Sequence, residues 1–203
     1  MTPQEIVALI NATLKTGQRK LVALVGPPAS GKSTLAQALA DLDPKAAVVP
    51  MDGFHLDNAL IEPRGLLARK GSPDTFDAAG FLHLVRRLGT EADVTFPLFD
   101  RGLDKSINAA GHLGPETETV IVEGNYLLLD RPIWDQLPLL WDYSIRLDVA
   151  KDQLENRLIQ RWRDYGLSEQ AAQERAQSND LINARSVQDN SLPADLVLSE
   201  VRL

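Results

Sequence analysis

An eight-residue stretch near the N-terminus constrains the fold more than any other part of the chain. Residues 26 to 33 read Gly-Pro-Pro-Ala-Ser-Gly-Lys-Ser and match the phosphate-binding pattern G-x-x-x-x-G-K-[ST]. The apolar run Leu21 to Val25 precedes it, and Thr34 to Leu42 follows with leucines at three- and four-residue spacing. The sequence therefore predicts strand, Walker A loop and helix in that order. A glycine turn before an ordinary helix is the alternative.

The residue types of this loop suit an anion. Gly26 and Gly31 let the backbone curl so that its N–H groups point at a phosphate, beside the positive end of the following helix. Lys32 would reach the β- and γ-phosphates, and the Ser33 hydroxyl would bind magnesium. The residues that we assign to nucleotide binding are Gly26, Pro27, Pro28, Ala29, Ser30, Gly31, Lys32, Ser33 and Thr34.

The composition bounds the class of protein. With 203 residues, 44% of them hydrophobic, we expect a single α/β domain. A formal net charge of −7 argues against nucleic acid as the main partner. The absence of cysteine excludes disulfides and thiolate metal sites, and the three histidines lie too far apart to favour zinc. Because the sequence has neither a signal segment nor a membrane-spanning apolar run, we expect an unexported, cytoplasmic protein with no membrane partner.

Helix signals are clear at several points. Thr2, Pro3 and Glu5 predict a capped helix start, and Gly17 is the predicted end of that helix. Asp77 is the predicted cap of a second helix that Gly89 would close. Two further helices are predicted from about 150 to 164 and, after Gly166 and Ser168, to about 184, whereas residues 57 to 76 are predicted as loop.

Short apolar runs separated by helices predict a parallel sheet covered on both faces. The five predicted strands are Leu21 to Val25, Ala46 to Val49, Thr119 to Val122, Tyr143 to Leu147 and Asp195 to Ser199. Residues 94 to 118 predict a small hairpin, or flap, beside this sheet. The turn Asp52-Gly53-Phe54-His55 follows the second strand, at the edge where open α/β sheets bind ligands.

Several segments taken together resemble the uridine kinase, phosphoribulokinase and bacterial pantothenate kinase family. These segments are the Walker A loop, 52 to 55, 97 to 101, 122 to 126 and the arginine-rich helix near 160. Residues 69 to 77 and 179 to 185 look most like small bacterial proteins labelled nucleoside/nucleotide kinase-like or fructose transport system kinases. The resemblance implies a P-loop kinase fold with sheet order 2-3-1-4-5, the cofactors ATP and Mg²⁺, and transfer of the γ-phosphoryl group to a hydroxyl of a small metabolite.

The resemblance also implies roles for acidic residues. Asp52 matches the family aspartate that accepts the proton of the substrate hydroxyl, although a turn-forming aspartate would look the same. His55 would contact substrate or serve as an ordinary loop histidine. Glu123 ends a strand where P-loop enzymes keep an acid that holds magnesium or its water, and a strand-end acid without a metal is the alternative.

Two further pairs are implied to lie near the acceptor. Asp100 and Arg101 match a family segment that holds the acceptor, but this chain has Phe99 where relatives often have tyrosine, and a salt bridge within the flap is the alternative. Asn179 and Asn183 match a substrate-proximal stretch, with helix capping as the alternative.

The family places a mobile lid at about 155 to 168. Arg157 and Arg161, four residues apart, would share a helix face and close over the ATP phosphates, and Arg161 would stabilise charge during transfer. A solvated basic face paired with Glu155 and Asp164 is the alternative. Trp162 is expected only to pack or to cover surface.

The sequence therefore predicts an ATP- and magnesium-dependent small-molecule kinase, with a homodimer as an assembly to test. A nucleotide-binding regulator derived from this family is the rival from another class. A nucleoside monophosphate kinase is the rival within the class, and it would need Arg64, Arg69 and Lys70 around the acceptor phosphate. No Asn-Lys-x-Asp guanine signature occurs in the chain. The sequence leaves the acceptor open among sugars, nucleosides, pantothenate-like and glycerate-like compounds.

Overall fold

A five-stranded, all-parallel sheet forms the centre of the molecule. The computed structural model describes residues 1–200. The strands of this sheet, in chain order, are β1 (Lys20–Val25), β2 (Ala46–Pro50), β5 (Thr119–Gly124), β6 (Tyr143–Leu147) and β7 (Leu196–Leu198). They lie side by side in the order β2-β5-β1-β6-β7. Counted within the sheet alone, this is the order 2-3-1-4-5 that the resemblance implied, so the predicted fold class is confirmed.

Helices cover both faces of the sheet. Their bounds are α1 (Pro3–Ala12), α2 (Lys32–Asp41), α3 (Asn58–Ile61), α4 (Ala78–Thr90), α5 (Lys151–Asp164), α6 (Glu169–Arg175) and α7 (Leu181–Asp189). Ile6 of α1 and Leu39 of α2 join one buried cluster, whereas Phe81 and Leu88 of α4 join another. Every residue of β1 and β5 is buried, because apolar cores lie on both sides. Within residues 1–200, no helix combines the length and apolarity needed to span a membrane.

The start of α1 is as predicted, but its end is not. Thr2 Oγ1 accepts from Glu5 N at 3.3 Å and Glu5 Oε2 accepts from Thr2 N at 2.8 Å, which forms the predicted capping box. The helix ends at Ala12 rather than near Gly17, because Thr13 takes an extended conformation. Leu14 is consequently 86% exposed. Gly17 instead packs against Gly89. A Cβ added to Gly17 would lie only 2.5 Å from the carbonyl oxygen of Gly89.

The predicted cap of α4 is present, and its predicted end is wrong. Asp77 Oδ1 accepts from Gly80 N at 2.9 Å. The helix runs through Gly89 to Thr90, because the N–H of Glu91 still bonds to the carbonyl of Arg87 at 2.8 Å. Residues 57 to 76, predicted as loop, contain α3 and three short 3₁₀ turns. Local turns of this kind satisfy backbone groups that a true loop would leave to water.

The predicted flap is a two-stranded antiparallel hairpin of β3 (Val94–Asp100) and β4 (Lys105–Leu113). It packs on the 3₁₀ turn Met51–Phe54, which follows β2. At the contact, a Cβ added to Gly53 would lie 2.0 Å from the carbonyl oxygen of Pro97. Only glycine permits this approach, and the approach fixes the turn that carries Asp52.

The C-terminal helical region is longer than predicted. Ser168 caps α6, and a π-helical segment at Ala176–Asp180 connects α6 to α7, which continues to Asp189 rather than to about 184. A π segment is the helical irregularity most often found at functional sites. Here it lies beside the cleft described next.

Candidate nucleotide and acceptor site

A cleft of about 680 Å³ opens at the carboxyl ends of the strands, where the sequence predicted a ligand. Residues from four regions line it: the Walker A loop, the turn after β2, the flap and the C-terminal helices. Strand register brings these regions together, since Glu123 of β5 is paired with Leu24 of β1 on one side and with Pro50 of β2 on the other.

The Walker A loop is shaped for an anion. Ala29 and Gly31 have positive φ values of 62° and 92°, which turn the backbone around the loop. Helix α2 begins at Lys32, two residues earlier than predicted, so Lys32 and Ser33 belong to its first turn. Because Gly31 has no side chain to cap α2, the first-turn N–H groups remain available to a phosphate. At the start of the loop, a Cβ on Gly26 would lie 2.5 Å from Ser30 Oγ.

Ser33 and Glu123 form the candidate magnesium site. Ser33 Oγ donates to Glu123 Oε1 at 3.2 Å. Glu123 is 7% exposed, and burial raises the pKa of its carboxyl group while the charge of Lys32 opposes that rise. Within residues 1–200, no three histidine or acidic side chains converge to hold a metal alone. The hydroxyl and carboxylate fit Mg²⁺, which commonly takes its remaining ligands from phosphate oxygens and water.

Asp52 and Arg101 form an ion pair within the cleft. Arg101 NH2 lies 3.1 Å from Asp52 Oδ2, and both side chains line the cleft. The backbone carbonyl of Asp52 also contacts Nδ1 of His55, at 2.8 Å. The alternative of a flap salt bridge is thus partly realised, but the partner of Arg101 is Asp52 rather than a flap residue.

His55 belongs to an aromatic cluster at the cleft wall. Its ring centroid lies 4.0 Å from that of Phe76 and 4.6 Å from that of Phe99, and all three residues line the cleft. Burial lowers the pKa of His55 below its ordinary value, so the ring is uncharged at neutral pH. The wall is therefore aromatic and uncharged, with the rings of Phe76 and Phe99 inclined to the His55 ring by 43° and 39°.

Asn179 and Asn183 connect the C-terminal helices to residues 69 and 70. Asn179 Nδ2 donates to the carbonyl of Lys70 at 2.9 Å, and Asn183 Oδ1 accepts from Arg69 NH2 at 3.1 Å. Asn183 lines the cleft, whereas Asn179 is buried beneath it. Asn183 is nevertheless only 2% exposed, and its Nδ2 donates to Asn179 Oδ1 at 3.4 Å. The geometry therefore gives both asparagines a positioning role.

The two lid arginines lie on different sides of the Walker A loop. Arg161 lines the main cleft. Arg157 instead contacts the carbonyls of Ala29 and Ser30 at 3.4 Å each, and lines a second cavity of about 770 Å³. Arg163, the third basic residue of the segment, pairs with Glu169 at 3.1 Å rather than with Glu155 or Asp164.

Comparison with known proteins places the chain in a family. No family model matches it. It is 36% identical over 192 residues to the Escherichia coli (strain K12) protein named "Uncharacterized protein YggC", covering 92% of this chain and 80% of that protein. It is 35% identical over 204 residues to the Schizosaccharomyces pombe protein named "Putative uridine kinase C227.14", covering 94% of this chain and 87% of that protein. The chain belongs to the uridine kinase-like family of P-loop kinases.

A solved structure agrees with that assignment. The crystal structure of a putative fructose transport system kinase from Silicibacter sp. TM1040 superposes on this P-loop kinase with a TM-score of 0.92 and 52% sequence identity. The match covers 98% of this chain and 99% of that one. The similarity thus extends over the whole cleft, including the flap and the C-terminal helices.

The sequence interpretation missed part of the cleft of this P-loop kinase. Trp162, Arg175 and Asp180 all line the cleft. Trp162 Nε1 donates to Asp180 Oδ2 at 2.5 Å, and the Arg175 guanidinium lies 5.2 Å from the Trp162 ring centroid. The position of Asp180 directly after Asn179 was the signal that could have identified it. Asn125 was also missed: it lines the cleft at 9% exposure, and its buried Oδ1 has no hydrogen-bond partner within the described residues.

Asp100 lies in a different position from the one implied. Its Oδ1 accepts from Gly102 N at 2.8 Å and from Leu103 N at 2.9 Å, which closes the turn of the flap. Within residues 1–200, the lining of the main cleft contains Arg101 and Asp104 but not Asp100. The geometry therefore gives Asp100 a structural role as the turn-forming residue of the hairpin.

Proposed function

We propose that this P-loop kinase transfers the γ-phosphoryl group of ATP, with magnesium, to a hydroxyl group of a small metabolite. One observation carries the proposal: Lys32, Ser33, Asp52 and Arg161 all line a single cleft. The cleft thus joins a phosphate-binding loop to a carboxylate placed to accept a proton. Phosphoryl transfer requires this combination of positioning and charge stabilisation, with little covalent help from the protein.

The nucleotide occupies the side of the cleft formed by the Walker A loop. Backbone N–H groups of the loop and of the first turn of α2 bind the phosphates, and Lys32 adds a positive charge. Ser33 and Glu123 would hold Mg²⁺, which would supply positive charge to the phosphates. Arg161 faces the same space from α5 and stabilises the charge that develops on the transferred group. The second cavity, lined by Val149, Arg157 and Leu198, receives the base of the nucleotide.

The acceptor occupies the other side, between Asp52 and the flap. Asp52 takes the proton from the acceptor hydroxyl as the hydroxyl oxygen bonds to the γ-phosphorus. The bond from that phosphorus to the bridging oxygen breaks at the same time, and ADP leaves with the electron pair. Arg101, 3.1 Å from the Asp52 carboxylate, holds it toward the cleft until the acceptor binds.

The geometry does not favour a nucleoside monophosphate as the acceptor. Such an enzyme would need three basic residues around the acceptor phosphate. The first of them, Arg64, is exposed and is not among the residues of 1–200 that line the cleft. Arg69 is occupied by the Ser178 carbonyl and by Asn183, and Lys70 by Asp104. A phosphate on the acceptor would have to displace these contacts.

A screen for ADP release tests the proposal. Purified protein with Mg-ATP is incubated with a panel of sugars, polyols, nucleosides and hydroxy acids, with Lys32→Ala as the inactive control. Acceptor-dependent ADP release that Lys32→Ala abolishes supports a kinase. Tight binding of a non-hydrolysable ATP analogue, with no acceptor-dependent release across the panel, favours the nucleotide-binding regulator instead.

A further inference from the structure

The charged side chains of the acceptor side are arranged differently from those of the nucleotide side. We define the acceptor side by its lining residues Asp52, His55, Lys70, Phe76, Phe99, Arg101 and Asp104. Its two cations, Lys70 and Arg101, each have a carboxylate partner. Within residues 1–200, Lys32 and Arg161, which we assign to the nucleotide side, have no carboxylate within 4.0 Å. Positive charge is thus available to ATP but not to the acceptor.

Lys70 is fully engaged by its surroundings. Its side chain is only 11% exposed, and Nζ lies 2.7 Å from Asp104 Oδ2. It also donates to Asn58 Oδ1 at 2.7 Å and to the carbonyl of Asp104 at 3.1 Å. Three acceptors match the three N–H donors of an ammonium group. Burial opposes ionisation of Asp104, but hydrogen bonds from Lys70 and Asn58 outweigh it and lower the pKa of that carboxyl, so the pair is charged on both sides.

The two ion pairs make the acceptor side electrically neutral. Lys70 and Arg101 contribute two positive charges, and Asp52 and Asp104 contribute two negative charges. A carboxylate or phosphate on the acceptor would therefore lie against two carboxylates unless both pairs opened. The Lys70 side chain is only 11% exposed, so opening its pair would leave a largely buried ammonium group without its partner, which is costly. The Arg101 side chain is 52% exposed, so the pair with Asp52 opens at a smaller cost.

The remaining wall is aromatic and uncharged. The rings of His55, Phe76 and Phe99 lie together, and the ammonium group of Lys70 lies 5.3 Å from the Phe99 ring centroid. Aromatic faces pack well against the C–H face of a sugar or against another planar ring. Asn125 also lines the cleft, and its Oδ1, which has no partner within the described residues, can accept a hydrogen bond from a hydroxyl group.

Resting on the kinase function proposed above, we infer that the acceptor is an uncharged, hydroxyl-rich molecule whose apolar face packs on the aromatic wall. Acceptors that carry a carboxylate or phosphate are disfavoured by the negative charges of Asp52 and Asp104. The acceptor is thus a neutral sugar, polyol or nucleoside rather than a sugar phosphate, a glycerate-like acid or a pantothenate-like acid.

Matched pairs of acceptors test the inference. Each pair differs only in a charged group: ribose and ribose 5-phosphate, glycerol and glycerate, pantothenyl alcohol and pantothenate, uridine and uridine 5′-monophosphate. We measure kcat/KM by ADP release for both members, and expect the neutral member of the preferred pair to exceed the charged one by about tenfold or more. Preference for the charged member overturns the inference while leaving the kinase function intact.

Variants at the Lys70–Asp104 pair test the cause of that preference. Asp104→Asn removes one carboxylate and leaves Lys70 unpaired, and asparagine tolerates the positive φ of 53° at this position. We expect the neutral-to-charged ratio of kcat/KM to fall by about tenfold. Asp93→Asn removes the same charge from the far end of the flap, where Asp93 pairs with His112, and should leave the ratio unchanged. An equal ratio in wild type and Asp104→Asn overturns the role of the pair.

A binding measurement tests the neutral acceptor side if no acceptor supports turnover. If no pair supports ADP release, the kinase proposal fails, and the same compounds are titrated calorimetrically into protein saturated with a non-hydrolysable ATP analogue. Binding of a neutral member, with weaker binding of its charged counterpart, supports a neutral acceptor side. Stronger binding of charged members, or no binding of any neutral compound, overturns the inference.

Discussion

Trp162 Nε1 donates a hydrogen bond to Asp180 Oδ2 at 2.5 Å, and this bond joins helix α5 to the segment that follows α6. The guanidinium groups of Arg161 and Arg175 lie 5.7 and 5.2 Å from the same indole ring. The residue before Asp180 is Asn179, which binds the backbone of Lys70. The Trp162–Asp180 bond therefore lies between the arginines of the cleft and the loop that carries Lys70, which Arg175 also contacts directly through the carbonyl of Ala68.

Loss of this donor should affect turnover more than stability. Trp162→Phe keeps an aromatic ring for the two guanidinium groups but removes the N–H. We expect ADP release to fall by about tenfold, because α5, which carries Arg161, is no longer bonded to Asp180, and the melting temperature to change little. Trp141→Phe is the matched control, since it removes an indole N–H that donates at 3.1 Å to Leu127 O outside the cleft. If both variants lose activity equally, the Trp162 contact has no specific role.

The Asp180 carboxylate should weaken the fold as pH rises. Burial raises the pKa of Asp180, against the opposing effects of the Trp162 hydrogen bond and of Arg161 and Arg175. The folded state therefore keeps this proton at pH values where the unfolded chain, with a pKa of about 3.9, has released it. Stability from this group is complete below about pH 3.9 and is lost as pH rises through the higher folded-state pKa.

Asp180→Asn tests this sign. Asparagine has no proton to lose. The melting temperature of the variant, compared with that of wild type at the same pH, should therefore rise between about pH 4 and pH 7. Thermal unfolding followed by circular dichroism across that range measures the difference. A difference that is constant with pH would show that ionisation of Asp180 does not contribute.

Gly53 should be required for the position of Asp52. A Cβ at Gly53 would lie 2.0 Å from the Pro97 carbonyl, so Gly53→Ala must push the Asp52 turn away from the flap. We expect a loss of about 1–3 kcal/mol in the free energy of unfolding, by analogy with overpacked cores, and reduced turnover with unchanged affinity for an ATP analogue. Gly102→Ala is the control, since its added Cβ would meet only the Asp100 carboxylate, at 3.3 Å. Urea denaturation and ADP release are measured on both variants, and equal effects of the two substitutions would contradict a specific requirement for Gly53.

The sheet could be predicted from sequence because its signals are local. Continuous apolar runs mark β1 and β5, and the Walker A motif marks the turn between β1 and α2. Boundaries were less certain. Gly89 was predicted to end α4, yet the helix passes through it, because the N–H of Glu91 still bonds to the carbonyl of Arg87. Gly17, the other predicted helix end, is instead required by a close approach, since a Cβ there would lie 2.5 Å from the carbonyl oxygen of Gly89. Glycine signals a helix end and a close approach equally well.

The cleft could be predicted only in part, because its contacts join distant positions. Asp52 and Arg101 were each identified, but their pairing depends on how the flap packs on the turn after β2. Trp162 was expected only to pack or to cover surface, since nothing in the local sequence shows that its N–H bonds to Asp180. Likewise, Arg157 and Arg161 share helical spacing, yet the Walker A loop lies between the cavities that they line.

Glu123 should control the magnesium requirement. Glu123→Gln keeps an oxygen beside Ser33 Oγ but removes the negative charge. We expect the magnesium concentration for half-maximal ADP release to rise by about tenfold, and the fold to be retained, because burial already disfavours the charged form. Glu118→Gln is the control: Glu118 precedes the same strand, is exposed, and pairs with Lys45. A magnesium titration of wild type and both variants at fixed ATP measures the effect, and equal midpoints would remove Glu123 from the metal site.

A variant at Asp52 distinguishes a kinase from a nucleotide-binding regulator. Asp52→Asn keeps the size of the side chain and an oxygen facing Arg101, but the amide cannot take a proton from the acceptor. Turnover should fall by about 10²–10⁴-fold, the usual cost of losing a general base, while affinity for a non-hydrolysable ATP analogue stays near the wild-type value.

Asp57→Asn is the control, because Asp57 caps α3 through the N–H of Ala59 and asparagine caps equally well. Calorimetric titration and ADP release on the same preparations distinguish three results. Selective loss of turnover supports the base, joint loss of turnover and binding makes Asp52 a metal or scaffold residue, and retention of both reduces it to a turn-forming aspartate.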